Sequence, residues 1–141
     1  MPNLVDALAQ EEFPDVRQDA IAALQLWIAS SRDSEYKLYN LLTKYNFNGG
    51  QSGIIMDLLH NTWYSPQAQS RPGTFETLIE YLNHNVLIIR ELADWHLHRL
   101  VPAGRDIPNS SVADATVRQS AQAAWRKLIP PGKLPPQPKT K

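Results

Sequence analysis

The stretch PDVRQDAIAALQLW, residues 14–27, places apolar and small residues at the spacing of one helical face. Counted from Arg17, they lie at −1, +3, +7 and +10: Val16, Ala20, Leu24 and Trp27. Steps of three and four residues bring side chains onto the same side of an α-helix. The stretch therefore predicts a helix over about 15–30 with Asp15 as its N-cap. Its predicted buried face comprises Val16, Ala20, Ala23, Leu24 and Trp27.

The same four offsets recur around two other arginines, Arg90 and Arg118. The matching positions are Ile89, Ala93, Leu97 and Leu100 in one copy and Val117, Ala121, Trp125 and Leu128 in the other. In all three copies the +3 position is alanine, whose small side chain lets a neighbouring helix approach closely. Arg17 and Arg90 are 73 residues apart, two steps of about 36, which is a period typical of helical repeats. A weaker copy is predicted midway, with Gly53 in the arginine position, Met56 at +3 and Trp63 at +10.

The rest of the chain also carries helical periodicity, interrupted by segments rich in proline and glycine. The further predicted helices are about 3–11, 34–45, 51–63, 74–83, 85–101 and 111–129. Asp33 is expected to start the helix at 34, and Ser111 to cap the last one. The helix over 85–101 is apolar on two sides, which is typical of a buried central helix. Loops are predicted over 64–73 and 102–109, and no alternating pattern of strand length indicates a sheet.

The segments around the three arginines resemble the second helix of HEAT repeats, in which Asp and a Val-Arg pair lead into alanine and leucine positions. They read EFPDVRQDAIAAL (residues 12–24), NVLIIRELA (85–93) and ATVRQSA (115–121). The resemblance is to a degenerate, bacterial-type repeat. It implies an all-α fold, an α-α solenoid or compact helical bundle of about three helix pairs plus a final helix, over residues 1–129. Residues 130–141 hold five prolines and predict an extended or disordered tail.

The composition excludes several classes of protein. Apolar residues make up 43% of the 141-residue chain and charged residues 20%, so most of it should fold. The absence of Cys excludes disulfides and thiolate metal sites, and fits the cytoplasm, with an exported domain of a larger protein as the alternative. The longest apolar run, 86–89, is far too short to span a membrane, and the N-terminus does not read as a signal peptide.

The charged residues are balanced overall but unevenly distributed along the chain. Residues 1–84 carry five Lys/Arg and ten Asp/Glu, and residues 85–141 carry nine and four. This −5 half followed by a +5 half has two interpretations. One is chance together with a basic tail, and the other is an oriented electrostatic surface or a head-to-tail contact with a neighbour.

No residue pattern indicates catalysis, a cofactor or a metal. His96 and His98 are two apart, which places them about 200° apart on a helix, and Asp57 with His60 lacks a third ligand. Glu91 and Asp94 near His98 offer acid–base groups, but polar pairs on a helix surface are the expected interpretation. The glycine-rich segment 49–53 lacks the lysine of a phosphate-binding loop and predicts a turn with an N-cap.

The three arginines share one register, which allows two interpretations. They could grip an acidic ligand or phosphates, or they could bond to carbonyl and carboxylate groups between stacked helices, as their recurrence favours. The structural repeat positions are therefore predicted to be Arg17, Arg90, Arg118, Ala20, Ala93 and Ala121. The resemblance implies a non-catalytic scaffold domain that binds another protein, as a module of a larger chain. The alternatives are a nucleic-acid-binding helical repeat, disfavoured by the zero net charge, and a bilin-lyase-like HEAT protein.

Overall fold

A computed structural model of the protein describes residues 6–7, 14–45 and 47–136, and every regular element in these ranges is a helix. Seven α-helices lie entirely within these ranges: α1 (Pro14–Ser30), α2 (Arg32–Lys44), α3 (Gly49–Leu59), α4 (Pro66–Gln69), α5 (Pro72–Tyr81), α6 (Leu87–Leu100) and α7 (Ala115–Leu128). Two short 3-10 helices cover Asn61–Tyr64 and Pro102–Gly104. The predicted all-α class is confirmed. Of the predicted helix 3–11, only Asp6 and Ala7 fall within the described residues, and both are helical.

The chain divides into two compact units, Met1–Asn61 and Thr62–Lys141. In the first unit, α1, α2 and α3 all contact one another. In the second, α5 packs against both α6 and α7, and the 3-10 helix Pro102–Gly104 also contacts α6 and α7. The sequence prediction of one domain over 1–129 stays a prediction.

The first unit buries one stripe of each of its helices. In α2 the buried residues are Ser34, Leu38 and Leu42, and in α3 they are Ser52, Ile55, Leu58 and Leu59. Side-chain caps fix where both helices begin, because they bond backbone N–H groups that have no partner within the helix. Ser31 Oγ accepts from Ser34 N at 3.2 Å, and Asn48 with Gln51 forms a reciprocal capping box.

The buried face of α1 differs from the predicted one. Val16 is 42% exposed and Trp27 is only half-buried, whereas Ile21 and Ile28 are buried. The observed buried face comprises Arg17, Ala20, Ile21, Leu24 and Ile28. The helix was therefore predicted correctly, but its buried face was not: of the five predicted residues, only Ala20 and Leu24 are buried. Leu26, on the outer side, is 75% exposed.

In the second unit, α6 is the most deeply buried helix, as its two apolar sides predict. Eight of its residues are buried: Ile88, Ile89, Glu91, Leu92, Ala93, Asp94, His96 and Leu97. In the helix predicted over 74–83, the four apolar residues at helical spacing are all buried: Phe75, Leu78, Ile79 and Leu82. Gln122 joins α7 to the C-terminal end of α5, because its Nε2 donates to Ile79 O at 2.9 Å.

Several predicted boundaries are wrong for local reasons. The helix predicted over 51–63 ends at Leu59, since His60 turns to extended backbone, and Trp63 lies in the 3-10 helix that follows. Ser31, not Asp33, caps α2, and Asp114, not Ser111, caps α7 by accepting from Val117 N at 3.0 Å. In addition, α1 includes Pro14, so Asp15 lies in its first turn and not at its N-cap. The predicted loop 64–73 contains the short helix α4.

The beginning of the C-terminal tail bends back over the second unit. Lys133 N donates to Pro130 O at 3.0 Å, which closes a turn containing Gly132 at φ +77°. That backbone conformation is favourable for glycine and strained for other residues. Residues 133–136 carry no regular structure. No helix within the described ranges combines the length and the apolar character needed to cross a membrane.

Candidate functional site

The arginine-led helices share a burial pattern that the sequence showed only in part. All three predicted alanines, Ala20, Ala93 and Ala121, are buried. The +7 residues Leu24, Leu97 and Trp125 are buried as well. Two further offsets from each arginine, +4 and +11, are also buried in every copy: Ile21, Asp94 and Gln122, then Ile28, Val101 and Ile129. The three helices therefore bury the same face, centred on +3, +4, +7 and +11 rather than on −1 and +10.

The predicted weaker copy around Gly53 does not keep its register. Gly53 is exposed and Met56 only half-buried, whereas Ser52, Ile55 and Leu59 are buried. Burial in this helix therefore does not follow the register predicted from Gly53.

Two of the three repeat arginines, Arg90 and Arg118, lie in the second unit and donate to backbone and amide oxygens of that unit. Arg90 donates from Nε to Ser111 O and from Nη1 to His84 O, each at 2.7 Å. Arg118 donates from Nε to Asn83 Oδ1 at 2.8 Å and from Nη1 to Ala113 O at 3.3 Å. Both therefore join the turn between α5 and α6 to the segment that precedes α7. In the first unit, Arg17 is 1% exposed.

Glu91 is a buried carboxylate that holds the loop following α6. It is 1% exposed and accepts a short hydrogen bond from Ser111 Oγ. Asn109 Nδ2 lies 3.4 and 3.5 Å from its two carboxylate oxygens, and Asn109 Oδ1 accepts from Ser111 N at 2.8 Å. The sequence interpretation of Glu91 as a surface polar residue is wrong, because its partners come from a loop about 20 residues further along.

Asp94 and His98 form a second attachment of the same loop. His98 Nδ1 lies 3.2 Å from Asp94 Oδ2, and its Nε2 lies 2.7 Å from Ile107 O. The hydrogen bond to Asp94, opposed by burial and supported by its charge and by the Ile107 carbonyl, raises the pKa of His98 to about 9. The imidazole is therefore a cation at neutral pH that donates from both nitrogens. This arrangement fixes the loop and leaves neither ring nitrogen to act as a base.

In the second unit, aromatic side chains gather around His96 and Arg99. Trp63 stacks on the His96 ring at a centroid distance of 6.0 Å, and Tyr64 Oη lies 2.9 Å from His96 Nδ1. Arg99 places its guanidinium 4.3 Å from the centroid of the Trp95 ring. We call the half-buried or exposed members Trp63, Tyr64, Trp95 and Arg99 the aromatic face. Burial raises the pKa of Tyr64, whereas Arg99, close to the phenol, opposes that rise.

A groove of about 310 Å³ borders the aromatic face and shares Arg99 with it. Its lining comes from α4 to α6, from the 3-10 helix after α6 and from the tail: Gln69, Phe75, Arg99, Leu100, Pro102, Leu134, Pro135 and Pro136. A smaller pocket of about 190 Å³ lies between α5 and α7, where Arg126 meets Glu80 at 3.2 Å.

The other sequence candidates for chemistry have separate partners. His60 pairs with Glu35 at 3.1 Å, and segment 49–53 forms the start of α3 behind its Asn48 cap. His96 and His98 have different partners, as their helical spacing predicts. Among the described residues, no three His, Cys, Asp or Glu side chains come close enough together to hold a metal ion.

Sequence reasoning did not bring the aromatic face together. Trp63 was expected at the end of a helix, and Tyr64 in a loop, more than 30 residues from Trp95. The available signal was the adjacent Trp63-Tyr64 pair before a proline, together with Trp95 and Arg99 at i, i+4. Comparisons with protein-family models, with curated proteins and with solved structures give no match.

Proposed function

We propose that the protein is a protein-interaction domain that binds its partner through the aromatic face of the second unit. The observation that carries this proposal is the grouping of Trp63 and Tyr64 on His96, with Trp95 beneath the Arg99 guanidinium, at a surface bordered by a groove. Tryptophan, tyrosine and arginine are the residues most enriched among the few that dominate protein–protein binding energy.

The face is also ordered before any partner arrives. The Trp63 ring lies on His96, the Tyr64 hydroxyl bonds to His96, and Arg99 lies over Trp95. Binding costs free energy when flexible side chains must be fixed at the interface. Side chains already held by neighbours lose less entropy, so this surface is suited to specific binding.

A HEAT-like solenoid is the arrangement we propose for the helices. The recurrence of one buried face behind Arg17, Arg90 and Arg118 supports it, since stacked repeats bury equivalent positions in each unit. Repeats of this kind present extended surfaces to protein ligands, and such a domain would act as a scaffold module of a larger protein. The reasoning from repeat architecture to binding is by analogy of fold.

Site-specific photo-crosslinking in the native host tests the proposed surface. A photoreactive phenylalanine derivative replaces Thr62, an exposed residue next to Trp63, in one variant and Thr116, an exposed residue of α7 in the same unit, in another. We expect a discrete crosslinked protein from position 62 and none from position 116. Identical crosslinking patterns from both positions, or no crosslink from position 62, would contradict the proposal.

A further inference from the structure

The groove beside the aromatic face already holds part of the chain's own tail. Gly132 N donates to Glu76 Oε1 at 3.0 Å, which attaches the turn at 130–133 to α5. From that turn, Leu134, Pro135 and Pro136 run along the groove and form one of its walls. Leu134 remains 42% exposed, so the segment is seated only partly.

The segment in the groove has a defined conformational preference. Proline fixes φ near −65°, and a residue that precedes proline is pushed towards extended or polyproline II backbone. Leu134 and Pro135 both precede a proline. A polyproline II segment has no internal hydrogen bonds, so its carbonyl groups remain open to donors from a partner.

The walls of the groove match this chemistry. Leu100 and Pro102 supply most of the apolar surface, since Phe75 is only 2% exposed, whereas Arg99 and Gln69 are side chains with N–H donors suited to backbone carbonyls. Aromatic and apolar grooves with a few such donors are the usual sites for proline-rich segments. About 310 Å³ of the groove remains open beside the tail.

From this arrangement we infer that the groove binds a proline-rich extended segment of another protein, and that Leu134–Pro136 competes for it from within the same chain. The inference rests on the proposed function and names the chemistry of the partner. Because the tail is tethered, it acts at an effective concentration on the order of millimolar. An external segment must displace it, so the tail sets a threshold for binding.

Titration with a synthetic peptide tests the inference on the 141-residue chain. The probe is a fluorescent peptide of residues 130–141, and its control carries serine in place of Leu134, Pro135 and Pro136. The wild-type chain is compared with the triple variant Leu134→Ser, Pro135→Ser, Pro136→Ser, which weakens the tethered competitor. Fluorescence anisotropy should give an affinity for the triple variant at least ~10-fold higher than for the wild type.

A second pair of variants locates the site. Adding Arg99→Gln to the triple variant should weaken peptide binding several-fold, whereas adding Arg105→Gln, at an exposed residue of the same unit, should not. The inference is overturned if the triple variant does not bind the peptide, binds the control peptide equally well, or binds no better than the wild type. A concentration-dependent wild-type dimer that the triple variant lacks would identify a second copy as the occupant and would also overturn it.

The peptide titration and the crosslinking experiment test different claims, so one can fail while the other succeeds. A crosslinked partner at position 62 without peptide binding would leave the proposed interaction domain standing and remove only the proline-rich partner. Peptide binding that obeys the Arg99 and Arg105 comparison, without any crosslinked protein, would support the groove and count against the aromatic face.

Discussion

Gly104 lies directly against the indole ring of Trp125. A Cβ atom added at Gly104 would stand 2.3 Å from both Cη2 and Cζ3 of that ring, far inside van der Waals contact. Trp125 is fully buried and belongs to α7, whereas Gly104 lies in the 3-10 helix that follows α6. This contact requires glycine for space rather than for an unusual backbone angle.

Replacing Gly104 with alanine should therefore destabilise the second unit. The new methyl group must push the indole or the backbone aside, and overpacking of this kind typically costs about 1–3 kcal/mol. Gly73→Ala is a matched control, because a Cβ at Gly73 of α5 meets nothing within 4 Å. Urea denaturation followed by tryptophan fluorescence measures both. Equal stability of Gly104→Ala and wild type would contradict the packing described.

His98 should make the stability of the second unit depend on pH above neutrality. Its pKa is about 9 in the folded protein, against 6.5 for the unperturbed group, so the folded state holds the proton more tightly. The contribution is complete below pH 6.5 and is lost as the pH rises through about 9. Because the ring is partly exposed to solvent, we expect a loss on the order of 1–2 kcal/mol.

Thermal unfolding of wild type and His98→Gln between pH 6.5 and 9.5 measures this loss. The variant should be less stable at pH 6.5, and its stability should fall less over the interval. His84 does not interfere, since burial lowers its pKa and its contribution changes at lower pH. Parallel pH profiles for the two proteins would show that His98 does not carry the dependence.

The helix cores were predictable from sequence where one face alone is apolar, and less so elsewhere. Phe75, Leu78, Ile79 and Leu82 form a clean stripe, and all four are buried. In α1, apolar residues occur on most sides, so periodicity could not choose between the Val16 side and the Ile21 side. The position of neighbouring helices decides that choice, and it is a tertiary property. The aromatic face could not be predicted from sequence for the same reason, because its residues come together only in the tertiary structure.

Glu91 and Ser111 should show strong energetic coupling. Glu91→Ala would leave the buried Ser111 hydroxyl without its carboxylate partner and would remove the contact to Asn109, which together should cost about 2–4 kcal/mol. Ser111→Ala should cost less, and the double variant should cost clearly less than the sum of the two. A double-mutant cycle by urea denaturation measures the coupling.

The exposed pair of Glu80 and Arg126 provides the control for that cycle. Its two side chains lie 3.2 Å apart but are largely exposed to solvent. Surface pairs of this kind contribute about 0–1 kcal/mol, so Glu80→Ala should change stability little. If Glu91→Ala were as mild as Glu80→Ala, the loop would not depend on the buried carboxylate.

Replacing Arg90 or Arg118 with lysine should destabilise the second unit. Each guanidinium bonds two oxygens from different segments: Arg90 reaches His84 O and Ser111 O, whereas Arg118 reaches Asn83 Oδ1 and Ala113 O. A lysine ammonium keeps the charge but lacks the planar fork of donors, so it cannot hold both oxygens in the same geometry. Arg90→Lys and Arg118→Lys should each cost about 1–2 kcal/mol, roughly one lost hydrogen bond to a charged group.

Hydrogen exchange separates this structural role from a role in gripping an acidic ligand. In the lysine variants, amides that depend on the segment before α7, such as Ser111 N and Ala113 N, should exchange faster than in the wild type. Arg71→Lys is the control, because Arg71 is exposed and its side chain does not cap α5. Unchanged exchange in Arg90→Lys and Arg118→Lys would mean that the charge alone suffices, as expected if these residues served to attract an anion.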